Sequence, residues 1–142
     1  MGASTITNFI EPTKDIVSWV IGKLEGYTYW GVHKYQKLNY DEIFKYVIEL
    51  RCPAAVVVYT GSQYDDQIQR RDGTFVVIVI EKDMTDSDAG AIDAQDLLDK
   101  AISLLDHEVY NDMFCKVKYD KLIDFPNTGL VAYEVGFVFK DH

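Results

Sequence analysis

Histidine is scarce in this chain: three in 142 residues, of which His142 is the last. None pairs with a second ligand at metal spacing and no HExxH occurs, which excludes the common zinc-hydrolase arrangement. His33 lies beside a short predicted strand. His107 falls at the end of a predicted helix, where a protonated ring suits the helix dipole. Cysteine is scarcer still. Cys52 and Cys115 stand far apart, form neither CxxC nor a zinc pattern, and read as two reduced, core-facing thiols. The loops around Gly61-Ser62 and Asp72-Gly73-Thr74 lack the spaced glycines and lysine of phosphate-binding and dinucleotide loops. No Gly-x-Ser-x-Gly elbow is present. Asp83, Asp86 and Asp88 fail as a calcium loop in both registers, because Gly and Glu are missing at the sixth and twelfth positions. Helix capping accounts for them better. The apolar runs are too short to span a bilayer. Met1 to Thr5 carries no secretory pattern, and Ile6 occupies the position where a myristoylation signal needs Ser or Thr. The expectation is a chain made in the cytosol, without cofactor or metal and without catalytic residues.

Basic charge is also short. Fourteen Lys and Arg face twenty-three Asp and Glu, a net charge of −9. Such a surface repels phosphate backbones and anionic headgroups, so neither nucleic acid nor membrane is an expected ligand. It would suit a passage that nucleic acid traverses without sticking. With 48% hydrophobic and 26% charged residues, the composition is that of a globular chain. The length fits one domain over residues 1–142, with 1–10 read as a flexible N-terminal segment. Ten tyrosines raise the aromatic content to 13%, and Tyr suits core margins and protein interfaces.

Periodicity places the elements. Ile16, Val17, Val20, Ile21 and Leu24 recur at helical spacing after Pro12, and Gly26 ends that helix. Tyr27 to Val32 reads as a short strand. A second helix is predicted over Asp41 to Leu50, capped by Asn39 and stopped by Pro53. Ala54 to Thr60 and Thr74 to Glu81 are β-branched runs apolar on both faces, the mark of strands covered on each side. Lys82 to Asp88 reads as a polar turn, and a strong amphipathic helix opens at Ala89. Cys115, Val117 and Tyr119 then alternate with Lys116, Lys118 and Asp120. After a turn at Asn127-Thr128-Gly129, Val131 to Phe139 alternates cleanly, with Ala132, Glu134, Gly136 and Val138 on the less buried face. The expected fold is α+β: a single, mostly antiparallel sheet of four to five strands with helices mainly on one face.

The connection from Gly61 to Gly73 is long for a hairpin. It is expected to project as an arm or to form an ordered functional loop. It holds two of the three arginines, and Tyr64, Asp65, Asp66, Ile68, Arg70 and Arg71 are its candidate interface residues. Arg and Tyr are enriched at interfaces, and loops on rigid sheets are where binding residues collect.

The segments "CPAAVVVYTG", "GTFVVIVIEKD", "AIDAQDLLDKAISLLD" and "VAYEVGFVFK", following an amphipathic helix, resemble Mu-like phage and prophage tail proteins over about Asp15 to Lys140. These are similar in architecture to tail-terminator and tail-completion proteins. The resemblance implies a homo-oligomeric ring, commonly a hexamer, that caps the tail tube and meets other tail or head–tail connector proteins. It implies a place in the virion tail, after assembly in the bacterial cytoplasm. The alternative from composition alone is a small bacterial ligand-binding or regulatory α+β module.

Overall fold

The computed structural model describes residues 12–49, 52–65, 70–82, 93–123 and 129–141. Residues 1–11, all of 83–92 with the three aspartates of the expected turn and the helix start expected at Ala89, and Asp66, Ile68, Asn127, Thr128 and His142 lie outside the described residues.

Helix α1 (Thr13–Glu25) follows Pro12 and buries Ile16, Val17, Val20 and Leu24 along one side. The chain then turns instead of extending. Tyr27 N–H donates to the carbonyl of Leu24, and the buried Trp30 indole donates to the same carbonyl at 2.8 Å. The aromatic run expected as a strand is therefore the turn that closes α1, and strand β1 begins only at Gly31 (Gly31–Tyr35). Helix α2 (Tyr40–Glu49) is capped by Asn39, whose side chain accepts from Glu42 N–H at 3.1 Å. Strands β2 (Ala54–Asp65) and β3 (Arg70–Lys82) form a long hairpin.

Helix α3 (Ala94–Leu105) starts later than its pattern predicts. Asp93 is extended and caps it, and Asp93 and Asp96 form a reciprocal capping box. Strands β4 (Val109–Tyr110), β5 (Met113–Ile123) and β6 (Leu130–Asp141) complete the chain.

The architecture is α+β, with one six-stranded sheet in the order β1-β2-β3-β6-β5-β4. The strand number corrects the sequence expectation, six instead of four to five, whereas the pairing is mostly antiparallel and two of the three described helices share a face, as expected. The sheet is mixed, because β1 runs parallel to β2, joined through α2, while every other pair is antiparallel. The helices also divide between the faces. Helices α1 and α3 cover the side bearing Ala55, Val57, Phe75, Val77, Val79, Val135, Phe137 and Phe139. On the opposite side Ile43 of α2 packs with Ala54, Val56, Val58, Val76, Ile78 and Ile80. The doubly apolar patterns of β2 and β3 follow from this, since both strands are buried on each face.

Strand β6 departs further from its pattern. The face expected to be less buried is covered as well, with the Tyr40 and Tyr119 side chains over Glu134: Ala132, Glu134 and Val138 are each 1% exposed or less. In β5 the register slips between Val117 and Tyr119. This bulge leaves Met113, Cys115 and Val117 on the α1/α3 side but turns Tyr119, Lys121 and Ile123 to the other. The simple alternation read through Tyr119 therefore breaks at Lys118.

No helix among the described residues is long and apolar enough to cross a membrane.

Candidate functional site

Among the described residues, the end of the β2–β3 hairpin departs furthest from the sheet. Pairing of β2 with β1 stops at Val58, and pairing of β3 with β6 stops at Thr74. Beyond these points β2 and β3 continue together through Asp65↔Arg70, making a two-stranded arm. A bulge sits at its base, between Tyr59 and Gly61, where Gly61 takes a φ of +131°. Thr74 Oγ1 donates to the Gly61 carbonyl at 3.0 Å, and the Tyr59 and Ser62 hydroxyls are hydrogen-bonded. Gly73 permits this close packing, since a Cβ there would lie 3.2 Å from the Tyr59 hydroxyl.

The connection predicted to project is thus an extension of the strands. Of its six candidate residues, Tyr64, Asp65, Arg70 and Arg71 stand at paired positions, Tyr64 opposite Arg71 and Asp65 opposite Arg70. Asp66 and Ile68 fall outside the described residues. Tyr64 is 67% exposed, more than any other large hydrophobic side chain among the described residues.

Two further places concentrate polar and aromatic groups. At the C-terminal end of β1, Lys34, Tyr35, Gln36, Lys37, Glu42 and Tyr46 line an open groove of about 400 Å³. Its walls are set by local contacts. The Tyr35 hydroxyl donates to Glu42 at 3.0 Å, and the Tyr46 ring sits 5.6 Å from Tyr35 and edge-on to His33 at 5.9 Å. Burial holds the His33 ring below the usual histidine range, favouring its neutral form.

The second place is the buried carboxylate of Glu134, which sequence reading put on a less buried face. Its two oxygens accept from two tyrosines: Tyr40 at the start of α2, and Tyr119 on β5 at 2.6 Å. Lys121 Nζ approaches at 3.7 Å from a half-exposed position. Tyr119 reaches Glu134 because Gly136, its register partner, leaves room for the ring. The available signal in the sequence was the company of Glu134, since Ala132, Gly136 and Val138 form a small, apolar face with one charge.

Desolvation, then the bond to Glu134 and its charge, push the Tyr40 hydroxyl up to about 12, and the same causes raise Tyr119. Raised tyrosines contribute stability that is complete below the ordinary value near 10 and lost as pH rises through the folded value. Ultraviolet titration of the ten tyrosines should therefore resolve a late-ionising class. Unfolding should begin between roughly pH 10 and 12. Ionisation of all ten in one step near pH 10, with the fold intact, would contradict this assignment.

Neither cysteine is poised for chemistry. Burial raises both thiols, that of the fully buried Cys115 most strongly. His107 is exposed, just past the end of α3, with its ring 3.3 Å from Asp106. Among the described residues no three of His, Cys, Asp and Glu gather as metal ligands. No family model matches the chain, and no curated protein matches it.

Proposed function

We propose that this chain is a structural assembly subunit that closes into a homo-oligomeric ring through its β2–β3 arm. Its resemblance to tail-terminator and tail-completion proteins makes a phage or prophage tail the setting of that ring. The observation that carries the reading is the arm itself. A two-stranded ribbon is marginally stable alone in water, and bare strand edges attract further strands or partner surfaces. Here the ribbon leaves the sheet with no neighbouring strand on either edge among the described residues, and it presents an exposed tyrosine. A rigid sheet that places such an element in solvent supports a role in contacts between subunits. The net charge of −9 agrees with a ring whose lumen passes nucleic acid without retaining it.

The test is to remove the arm while keeping the sheet. Joining Thr60 to Thr74 through an Asn-Gly turn leaves the pairing of Tyr59 with Phe75 and everything beyond it in place. The trimmed protein is expected to unfold within a few degrees of the parent yet sediment as a monomer. A trimmed protein that keeps the parent's oligomeric state would overturn the role given to the arm.

A further inference from the structure

Net charge describes the whole surface, whereas each charge acts over a Debye length of about 10 Å at 0.1 M salt. The fold gathers the scarcer sign in one place. On the α2 side of the sheet, the register sets Lys116 opposite Val138, Tyr119 opposite Gly136 and Lys121 opposite Glu134, and Lys140 continues that side of β6. Lys118 stands at the bulge among them. All four lysines are exposed. Among the described residues no carboxylate pairs with Lys116, Lys118 or Lys140, although the chain holds 23 acids. Glu134, the one carboxylate on this side among the described residues of β5 and β6, is buried and already bonded by two tyrosines. Asp120 pairs with Val135 and faces the α1/α3 side.

The Tyr119 ring lies flat in the middle of these lysines. A Cβ at Gly136 would sit 2.2 Å from one ring carbon and 2.6 and 2.7 Å from the two carbons bonded to it. Such near-equal distances put the Cβ direction over the face of the ring, since an approach at the rim would lengthen the second and third. One face of the ring therefore rests on the β6 backbone, with its hydroxyl fixed to Glu134. Its 44% exposure belongs to the other face.

We propose that this side of β5 and β6 binds single-stranded nucleic acid, with a base stacked on Tyr119 and phosphates on the lysines around it. The inference is independent of the assembly reading and makes no use of the arm. An aromatic ring held flat on a sheet takes any unpaired base, because every base has a π-face, while cationic side chains follow the backbone. The contact is therefore indifferent to sequence. A duplex keeps its bases stacked inside and offers the ring nothing. An acidic peptide would satisfy the lysines but leave the ring without a flat partner.

Fluorescence anisotropy of a labelled oligothymidylate, titrated with the full chain at several salt concentrations between about 50 and 200 mM, tests both parts. Each phosphate contact on a single strand contributes about −0.7 to the slope of log affinity against log salt, so three or four lysines predict roughly −2 to −3. Replacing three of them, Lys116→Gln with Lys118→Gln and Lys140→Gln, should weaken binding at least tenfold and flatten the slope, with the melting temperature within a few degrees of the parent. An abasic strand of equal charge should bind the wild type at least fivefold more weakly, the low end of what one stacked base contributes. Equal binding of the abasic strand, tighter binding of a duplex of the same length, or equal competition by polyglutamate would overturn the single-stranded ligand. No binding at the lowest salt, or binding that survives the lysine changes, would overturn the surface itself.

Discussion

Replacing Tyr40 and Tyr119 together by Phe should destabilise the fold by about 3–5 kcal/mol, the usual cost of leaving a buried charge uncompensated. Each ring keeps its packing in such a variant, and only the two hydroxyls bonded to Glu134 are lost. The carboxylate would then remain fully buried, with the more distant Lys121 amine as its remaining charged neighbour among the described residues. Either single change leaves one hydroxyl in place and should cost about 1.5–3 kcal/mol, the range for hydrogen bonds to charged groups. Adding Glu134→Met to the double variant removes the charge at similar volume and should recover most of the loss, because apolar replacement of a buried charged cluster is often neutral. Urea unfolding of the parent and the four variants reads this directly. Small, additive losses, with no recovery on adding Met, would mean that Glu134 does not depend on the tyrosines.

Gly136→Ala is expected to cost about 3 kcal/mol or more. A Cβ at Gly136 would fall 2.2 Å from one carbon of the Tyr119 ring and under 3 Å from two others. No side chain tolerates such contact, so the ring must swing outward into the solvent it already half meets. Its hydroxyl would leave Glu134, combining an overpacking cost of about 1–3 kcal/mol with the loss of a bond to a charged group. The same substitution in a Tyr119→Ser background has no ring to displace. There it should cost far less, since Gly weakens a strand interior relative to residues that pack. Equal effects in both backgrounds would place the cause elsewhere than the cross-strand contact.

These two positions also mark where sequence reading ran out. Helix α1, the Asn39 cap and the doubly apolar β2 and β3 were legible because their signals are local: helical spacing, one side chain bonding its own helix, an unbroken β-branched run. The arm was legible as a projection from its excess length, though its continuous strand pairing was not. Alternation in β6 puts Glu134 on a less buried face, and it cannot show that Tyr40 and Tyr119, from other elements, cover that face. The slip at Lys118 leaves no mark in the run Cys115 to Asp120, yet it decides which face Tyr119 joins. Tyr27 to Trp30 has strand-like residues, but an indole bond to Leu24 turns it back on α1. In each case a contact distant in sequence, or a side-chain bond, overrode the local pattern.

The candidate interface divides in the same way. Tyr64 and Arg71 were singled out by residue type, and the register sets them opposite one another. The groove of Tyr35, Lys37 and Tyr46 was not singled out, because it exists only once β1 and α2 are packed.

The central claim, assembly by this subunit into a closed ring, is tested most directly by the wild-type mass in solution. Light scattering coupled to size exclusion, over a hundredfold range of protein concentration, is expected to return one discrete multiple of the 16.3 kDa chain that resists dilution. A single monomer mass across the whole range would contradict it.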